Sequence, residues 1–179
     1  DLLWSEHPDV EAIITLNQSG GRGRRGKSWI SAPNKGVALS CRVPTDGLAI
    51  DQLPLISLAA GVALHAWIEE VTRSSLGPDL ALKWPNDLVW KKGKLAGILC
   101  ESRFYSTRAK AIVGIGINLS RIDGIPVESA SLEDICSSTP VIQEGSEEIL
   151  RLIERLSRMM TLLRDDPSSV LKQWRERAL

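Results

Sequence analysis

One six-residue segment, Val-Gly-Ile-Gly-Ile-Asn at positions 113–118, is compatible with few structures other than a β-strand. Successive side chains of a strand point to opposite faces, so the three branched residues share one face. Gly114, Gly116 and Asn118 share the other face, which carries no side chain except one amide. The branched face can pack against helices. The bare face favours either a ligand lying against the backbone or a close helix–sheet contact.

The remaining apolar segments predict one α+β domain over residues 1–179, with a mixed β-sheet and flanking helices. Apolar residues at helical spacing predict a long helix at 53–75, and further helices are predicted at 146–164 and 167–178. Residues 120–145 are expected to be irregular, with a short helical turn at 131–136. Strands are predicted at 12–16, 36–42, 80–84, 88–90, 95–102 and 111–118.

Charge and cysteine content narrow the classes of function. The chain has 22 Lys plus Arg and 22 Asp plus Glu, so it lacks the general basic field that nucleic-acid binding requires. Its three cysteines, Cys41, Cys100 and Cys136, have no CxxC spacing and are expected to be free thiols in a reducing cytoplasm. The longest apolar stretch, residues 53–68, is expected to be too short to cross a membrane.

Residues 20–27, Gly-Gly-Arg-Gly-Arg-Arg-Gly-Lys, combine four glycines and four cations. Glycines let backbone N–H groups approach a ligand, and arginines offer forked donors to phosphate, so the segment indicates an anion site. Residues 21–28 formally match a P-loop, but residues 29–36 cannot form the helix which that motif needs. Two interpretations remain: an exposed basic loop that could contact nucleic acid, and a loop that closes over a phosphate-bearing small molecule.

Three further motifs favour the second interpretation. They are Lys-Trp-Pro-Asn-Asp-Leu at 83–88, Gly-Lys-Leu-Ala-Gly-Ile-Leu at 93–99 and Val-Gly-Ile-Gly-Ile-Asn-Leu at 113–119. Together with Gln18 and the Gly/Arg loop, their order and spacing resemble those of biotin protein ligases. The resemblance covers residues 12–119 and continues more loosely to Gln-Trp-Arg at 173–175. It implies the α+β fold of the biotin ligase catalytic domain, which is similar to that of class II aminoacyl-tRNA synthetases.

The resemblance also implies an activity. Such an enzyme activates biotin with ATP and Mg²⁺ as biotinyl-5′-AMP, and transfers it to a lysine of the biotin carboxyl carrier domain of a biotin-dependent carboxylase. The resemblance leaves open whether two copies form a homodimer, and it predicts neither a nucleic-acid nor a membrane partner. Two other functions stay open: a lipoate or octanoate protein ligase on the same fold, which the arginine-rich loop disfavours, and a biotin-binding module without catalysis.

Single residues take roles by the same resemblance. Lys83, which precedes the Trp84-Pro85 pair whose proline holds Trp84 extended, and Arg24 are the candidate catalytic residues. The residues implied to contact biotin or its adenylate are Gln18, Gly21, Arg22, Gly23, Arg24, Lys83, Gly97, Gly114 and Gly116. Those implied to contact the nucleotide are Trp29, Lys94 and Asn118.

Several of these residues have a plainer alternative. Lys83 could be a solvated surface lysine, and Trp29 could anchor the end of a mobile loop instead of packing on adenine. Asp87 could help hold magnesium, although stabilising the turn after Pro-Asn is the more ordinary role of such an aspartate. Trp4, Trp67 and Trp174 are interpreted as packing residues.

The sequence departs from the family in two places. It has neither the Ser-Thr-Asn segment that precedes the first helix in family members and contributes to the biotin site, nor their small C-terminal barrel. From this sequence alone we therefore expect biotin affinity, ATP use and acceptor docking to depend on parts that it does not contain. From this sequence we also expect no N-terminal winged helix, so repression of transcription is not indicated.

Overall fold

The computed structural model describes residues 2–4, 11–105, 108–122, 128–136 and 142–179. Within these residues, eight strands and three α-helices follow one another. The strands are β1 Ala12–Thr15, β2 Gly21–Arg22, β3 Ser28–Trp29, β4 Gly36–Val43, β5 Leu80–Lys83, β6 Asp87–Trp90, β7 Gly93–Tyr105 and β8 Arg108–Asn118. The helices are α1 Ile56–Thr72, α2 Glu147–Asp165 and α3 Pro167–Glu176.

Six strands form one sheet in the order β1-β4-β8-β7-β6-β5, and β2 and β3 form a separate small hairpin. All the ladders of the six-stranded sheet are antiparallel. Parallel pairing is limited, among the described residues, to isolated bridges between Leu82 and Ala178 and between Lys94 and Ser129. The predicted α+β class is therefore confirmed, and those two bridges account for the mixed character of its pairing.

Helix α1 covers the branched face of β8. Val113, Ile115 and Ile117 are all buried, and Ile98 of β7 lies directly opposite Ile115. A Cβ added to Gly61 of α1 would lie 3.1 Å from Cδ2 of Leu82 in β5, so this glycine permits close approach of helix and sheet. On its other side α1 packs against α2 and α3, which explains why its residues are apolar almost all round.

The apolar stretch around α1 is longer than expected. A short 3₁₀ helix, Ile50–Leu55, runs directly into α1, and the combined 23 residues are long and apolar enough to cross a membrane by length and composition. The expectation that this stretch is too short is therefore wrong. Its apolar window is 61% buried inside the structure, as in the core helix of a globular protein.

The outer edge of β5 is covered by residues that follow α3. The N–H of Leu82 donates to the carbonyl of Arg177 at 2.7 Å, and the N–H of Leu179 donates to the carbonyl of Leu82 at 3.0 Å. Trp174 of α3 meets Trp84 edge-on, with ring centroids 5.9 Å apart. An edge strand is a site of unwanted pairing unless it is covered, and here the cover also fixes the segment that carries Lys83.

The other boundary differences have simple causes. The β7–β8 hairpin extends to residues 105 and 108, further than predicted, because its outer part is solvent-exposed and so carries little apolar signal. The predicted helical turn at 131–136 is a 3₁₀ turn at Leu132–Asp134. Part of the predicted irregular segment, residues 123–127 and 137–141, lies outside the described residues.

The three cysteines are free, as predicted. Burial raises the pKa of the Cys41 and Cys100 thiols to about 12, so both are uncharged at neutral pH. Neither has the reactivity of a thiolate.

Candidate functional site

A cavity of about 580 Å³, here called the loop cavity, lies between the Gly/Arg loop and the bare face of the sheet. Its volume is within the range of small-molecule and cofactor sites. The structure brings together there most of the residues singled out from the sequence. They are Gln18, Arg22, Gly23, Arg24, Trp29, Asp87, Lys94, Gly97, Gly114 and Gly116.

The bare face has two halves, of which one is covered by a side chain and the other is open to the cavity. A Cβ added to Gly116 would lie 2.4 Å from Cε2 of Trp29, and one added to Gly97 would lie 3.0 Å from its Cζ3. The indole of Trp29 therefore covers this half. At Gly114 the nearest atoms, Leu99 O at 3.4 Å and Ser40 Oγ at 3.8 Å, are at ordinary contact distance, so this half is open to the cavity. The alternative of a helix packed on the glycine face is wrong, since α1 packs on the other face.

The Gly/Arg loop is a hairpin whose two strands pair Gly21 with Trp29. A Cβ at Gly21 would be 2.4 Å from the Trp29 carbonyl, so this glycine is needed for the pairing itself. The turn closes through a hydrogen bond from Gly23 N–H to the Lys27 carbonyl at 2.7 Å, with Arg25 in the left-handed region at φ 56°. A strand rather than a helix follows Lys27, which excludes the P-loop interpretation.

Two arginines of the loop are tied to the sheet by polar contacts. Arg22 donates from both terminal nitrogens to the Glu101 carboxylate, at 3.3 and 3.0 Å. Arg24 donates from Nη1 to Oδ1 of Asn86 at 3.3 Å, and the Asn86 amide donates to the Ile98 carbonyl at 2.8 Å. Both guanidinium groups consequently border the cavity, where they can meet an anion.

Glu101 and Asn86 are site residues that the sequence interpretation missed. Asn86 stood within a quoted motif without receiving a role. Glu101 lies four residues after Gly97 on β7 and therefore shares its face, so strand alternation could have identified it. Its pairing with Arg22, 79 residues away, has no local signal.

Lys94 is fixed between an acid and an aromatic ring. Its ammonium lies 2.7 Å from Oδ1 of Asp87 and 5.5 Å from the centroid of the Trp29 ring. One oxygen of Asp87 is thus committed to Lys94. Among the described residues, no group of three or more His, Cys, Asp or Glu could hold a metal ion. The site does not fit a magnesium ion held by protein ligands alone.

Three predicted site residues are not among those that line the loop cavity. Lys83 is exposed at the end of β5, paired along the backbone with Asp87. The Asn118 amide donates to the carbonyls of Lys94 at 3.1 Å and Ala130 at 3.0 Å, which secures the strand that carries Lys94. Gly21 supports the hairpin. Contacts of these three residues with a ligand stay predictions, as do those of the residues that line the loop cavity.

The packing of Trp29 on the sheet predicts a contrast between two glycine substitutions. Gly116→Ala forces the indole away, and we expect the free energy of unfolding to fall by about 1–3 kcal/mol. The NMR signal of the Trp29 indole N–H, identified from its loss in Trp29→Phe, should shift strongly. Gly114→Ala is the matched control, with a change in the free energy of unfolding within about 0.5 kcal/mol and an unshifted Trp29 signal. Similar spectra for the two variants would contradict this placement of the indole.

The chain is similar to known proteins over the region that contains the loop cavity. The model of the biotin/lipoate A/B protein ligase family matches residues 1–118. The biotin--[acetyl-CoA-carboxylase] ligase of Mycobacterium tuberculosis is 28% identical over 151 residues, which cover 82% of this chain and 54% of the relative. The bifunctional ligase/repressor BirA of Bacillus subtilis is 33% identical over 153 residues, which cover 84% and 44%.

The solved structures that are similar to this chain include biotin protein ligases. The biotin protein ligase from Aquifex aeolicus in complex with biotin and ATP superposes with a TM-score of 0.72 at 26% identity, covering 94% of this chain and 68% of that one. The Leishmania major biotin protein ligase in complex with biotin has a TM-score of 0.71 at 20% identity, covering 94% and 71%, and shows the shared fold. The chain spans about half the length of the curated relatives it matches.

Proposed function

Because the chain belongs to the biotin/lipoate A/B protein ligase family, we propose that it is the catalytic core of a biotin protein ligase. The reaction is the ATP-dependent activation of biotin as biotinyl-5′-AMP, followed by transfer of biotin to a lysine of a biotin carboxyl carrier domain. Similarity to ligases named for biotin supports biotin over lipoate within the family. The arginine-rich loop supports the same choice.

The observation that carries the proposal is a cationic loop held over a half-open, side-chain-poor strand face. Arg22, Arg24, Arg25, Lys27 and Lys94 all border the loop cavity. Acyl-adenylate formation brings a carboxylate and a polyphosphate together and develops charge on phosphorus, so it requires fixed positive groups around a shielded space. A bare strand at Gly114 gives an acyl group room to lie against the backbone.

In the first step a carboxylate oxygen of biotin attacks the α-phosphorus of ATP. A carboxylate O–P bond forms as the bond to the leaving pyrophosphate breaks. The chain's own contribution is to hold the two anions in reach of each other and to compensate their charge, which we assign to Arg22, Arg24 and Lys83. The loop over the cavity also excludes water from the mixed anhydride.

In the second step the uncharged amine of an acceptor lysine attacks the biotinyl carbonyl. An amide bond forms as the bond between the carbonyl carbon and the phosphate oxygen breaks. AMP leaves with its phosphate as an anion, and the proton lost by the amine passes to solvent. The same cations that compensate charge in the first step also stabilise this leaving phosphate. The nucleotide base is assigned to Trp29 and its phosphate to Lys94, and the biotin group is assigned to Gln18 and to the strands that carry Gly97 and Gly114.

Magnesium enters the proposal as part of the nucleotide substrate. Mg²⁺ is commonly bound through substrate phosphates and only one or two carboxylates. This agrees with a site whose described residues offer no metal cage and whose Asp87 is paired with Lys94. The proposal includes the cytoplasm as the compartment, and a homodimer as an assembly to be tested.

The decisive experiment is labelling of a carrier domain. The protein is incubated with ATP·Mg²⁺, biotin and a biotin carboxyl carrier domain, and the carrier mass is measured. We expect an increase by one biotinyl group, absent without ATP and absent when the acceptor lysine is replaced by arginine. If the protein binds biotin but the carrier stays unmodified, the chain is a biotin-binding module without catalysis. Calorimetry with biotin and with lipoate, each with ATP, separates the two ligases, and tighter binding of lipoate would overturn the choice of biotin.

A further inference from the structure

Glu101 is an acidic residue at a site proposed to bind anions. Among the described residues lining the loop cavity, only Asp87 and Glu101 carry carboxylates, and Asp87 is paired with Lys94. Glu101 lies directly opposite Ile112 of β8, on the face that carries Gly97 and Gly114. Its carboxylate therefore stands beside the open half of the bare face.

The partner of Glu101 is Arg22 of the Gly/Arg loop. Each terminal nitrogen of the guanidinium donates to a different carboxylate oxygen, so the pair is bidentate. The Arg22 side chain is 67% exposed and that of Glu101 is 36% exposed. Exposed pairs of this kind change an equilibrium by no more than about fivefold. Such a contact is strong enough to favour one position of Arg22 and weak enough to be exchanged.

The group that Glu101 presents to Arg22 is chemically the same as the group that the proposed substrate presents. An arginine fork binds any carboxylate or phosphate in the same two-pronged way. An anion approaching Arg22 while the pair is intact meets the like charge of Glu101. Binding of the anion and retention of the internal pair consequently compete.

We propose that Glu101 is a positioning residue that holds Arg22 as an internal counter-ion in the ligand-free protein, and releases it to the carboxylate or phosphate of the bound substrate. The identity of that substrate rests on the proposed function, whereas the internal pair does not. Competition reduces the apparent affinity for an anionic ligand to the intrinsic affinity multiplied by the fraction of molecules in which Arg22 is free.

The first test needs no ligand. Trypsin cleaves after Arg and Lys, and the exposed loop offers Arg24, Arg25 and Lys27. Glu101→Gln keeps the size of the side chain and removes its charge, so we expect cleavage at these sites to be up to about fivefold faster. Glu154→Gln is the matched control, because Glu154 forms an exposed ion pair with Arg158 on α2.

The swapped pair completes this test. The double variant Arg22→Glu with Glu101→Arg reverses both charges and should restore the slow wild-type cleavage between residues 24 and 27, as measured by mass spectrometry. Equal cleavage rates for wild type and Glu101→Gln would overturn the proposal, as would failure of the swap to restore protection in a folded double variant.

The second test uses ligands that differ in one group. By calorimetry, Glu101→Gln should bind biotin up to about fivefold more tightly than wild type, and should bind biotinol, the alcohol that lacks the carboxylate, unchanged. Weaker binding of biotin by Glu101→Gln, no change, or an equal gain for both ligands would overturn the proposal. If wild type binds neither ligand, the proposed function fails, while the protease comparison still decides the role of Glu101.

Discussion

Replacing Arg24 by alanine is expected to slow formation of biotinyl-5′-AMP by about 10²–10³-fold, the usual effect of removing one preorganised donor at a site of developing charge. Arg24 is exposed, borders the loop cavity and donates to Asn86, so its loss removes charge from the site without removing a buried side chain. The rate is measured as pyrophosphate release in a single turnover. An unchanged urea midpoint shows that the variant is folded.

Lys83→Ala is expected to have a similar effect, for a different structural reason. Lys83 stands at the end of β5, one residue before the cavity-lining segment 84–87, and is anchored by the residues that cover Leu82. Lys92→Ala on the exposed β6–β7 turn is the matched control and should react at the wild-type rate. Near-normal pyrophosphate release by both Arg24→Ala and Lys83→Ala would refute both assignments. A slow reaction in Arg24→Ala alone would refute the assignment of Lys83 as a catalytic residue.

Strand alternation made much of the site predictable. It placed the branched residues of β8 on one face and the glycines on the other, and the structure has this separation, with the branched residues buried and the glycines lining the loop cavity. The Gly/Arg loop was predictable as a site element because its composition differs so sharply from that of an otherwise neutral chain. These signals are local, since each depends on residues within one strand or one turn.

The contacts that complete the site were not predictable in this way. Trp29 covers Gly116 and Gly97 from a hairpin, Arg22 reaches Glu101, and residues 177–179 pair with Leu82. Each contact joins segments far apart in sequence and depends on side-chain direction. For the same reason the sequence did not distinguish Gly114 from Gly116. Their sequence contexts are nearly the same, but Gly116 lies under an indole and Gly114 faces open space.

The packing of α1 supports the site from behind, and Trp67 is its largest fully buried side chain. The sequence interpretation assigned it to packing, and the structure confirms this with an exposure of 0%. Its indole N–H also donates to the Glu148 carbonyl in the first turn of α2, at 2.7 Å. One residue thus fills part of the core and joins α1 to α2.

Trp67→Ala is expected to lower the free energy of unfolding by about 3–5 kcal/mol, because it leaves a large cavity in a close-packed core. A domain of this kind has only about 5–15 kcal/mol in total, so the variant should unfold at a much lower urea concentration. Trp67→Phe retains most of the volume and loses the hydrogen bond, and its free energy of unfolding should lie between those of Trp67→Ala and wild type.

Trp84, which is 68% exposed and meets Trp174 edge-on, is the comparison, with a loss of about 1 kcal/mol in Trp84→Ala. If Trp67→Ala and Trp84→Ala unfolded at the same urea concentration, the layer formed by α1 would not be what holds the sheet in place behind the glycine face.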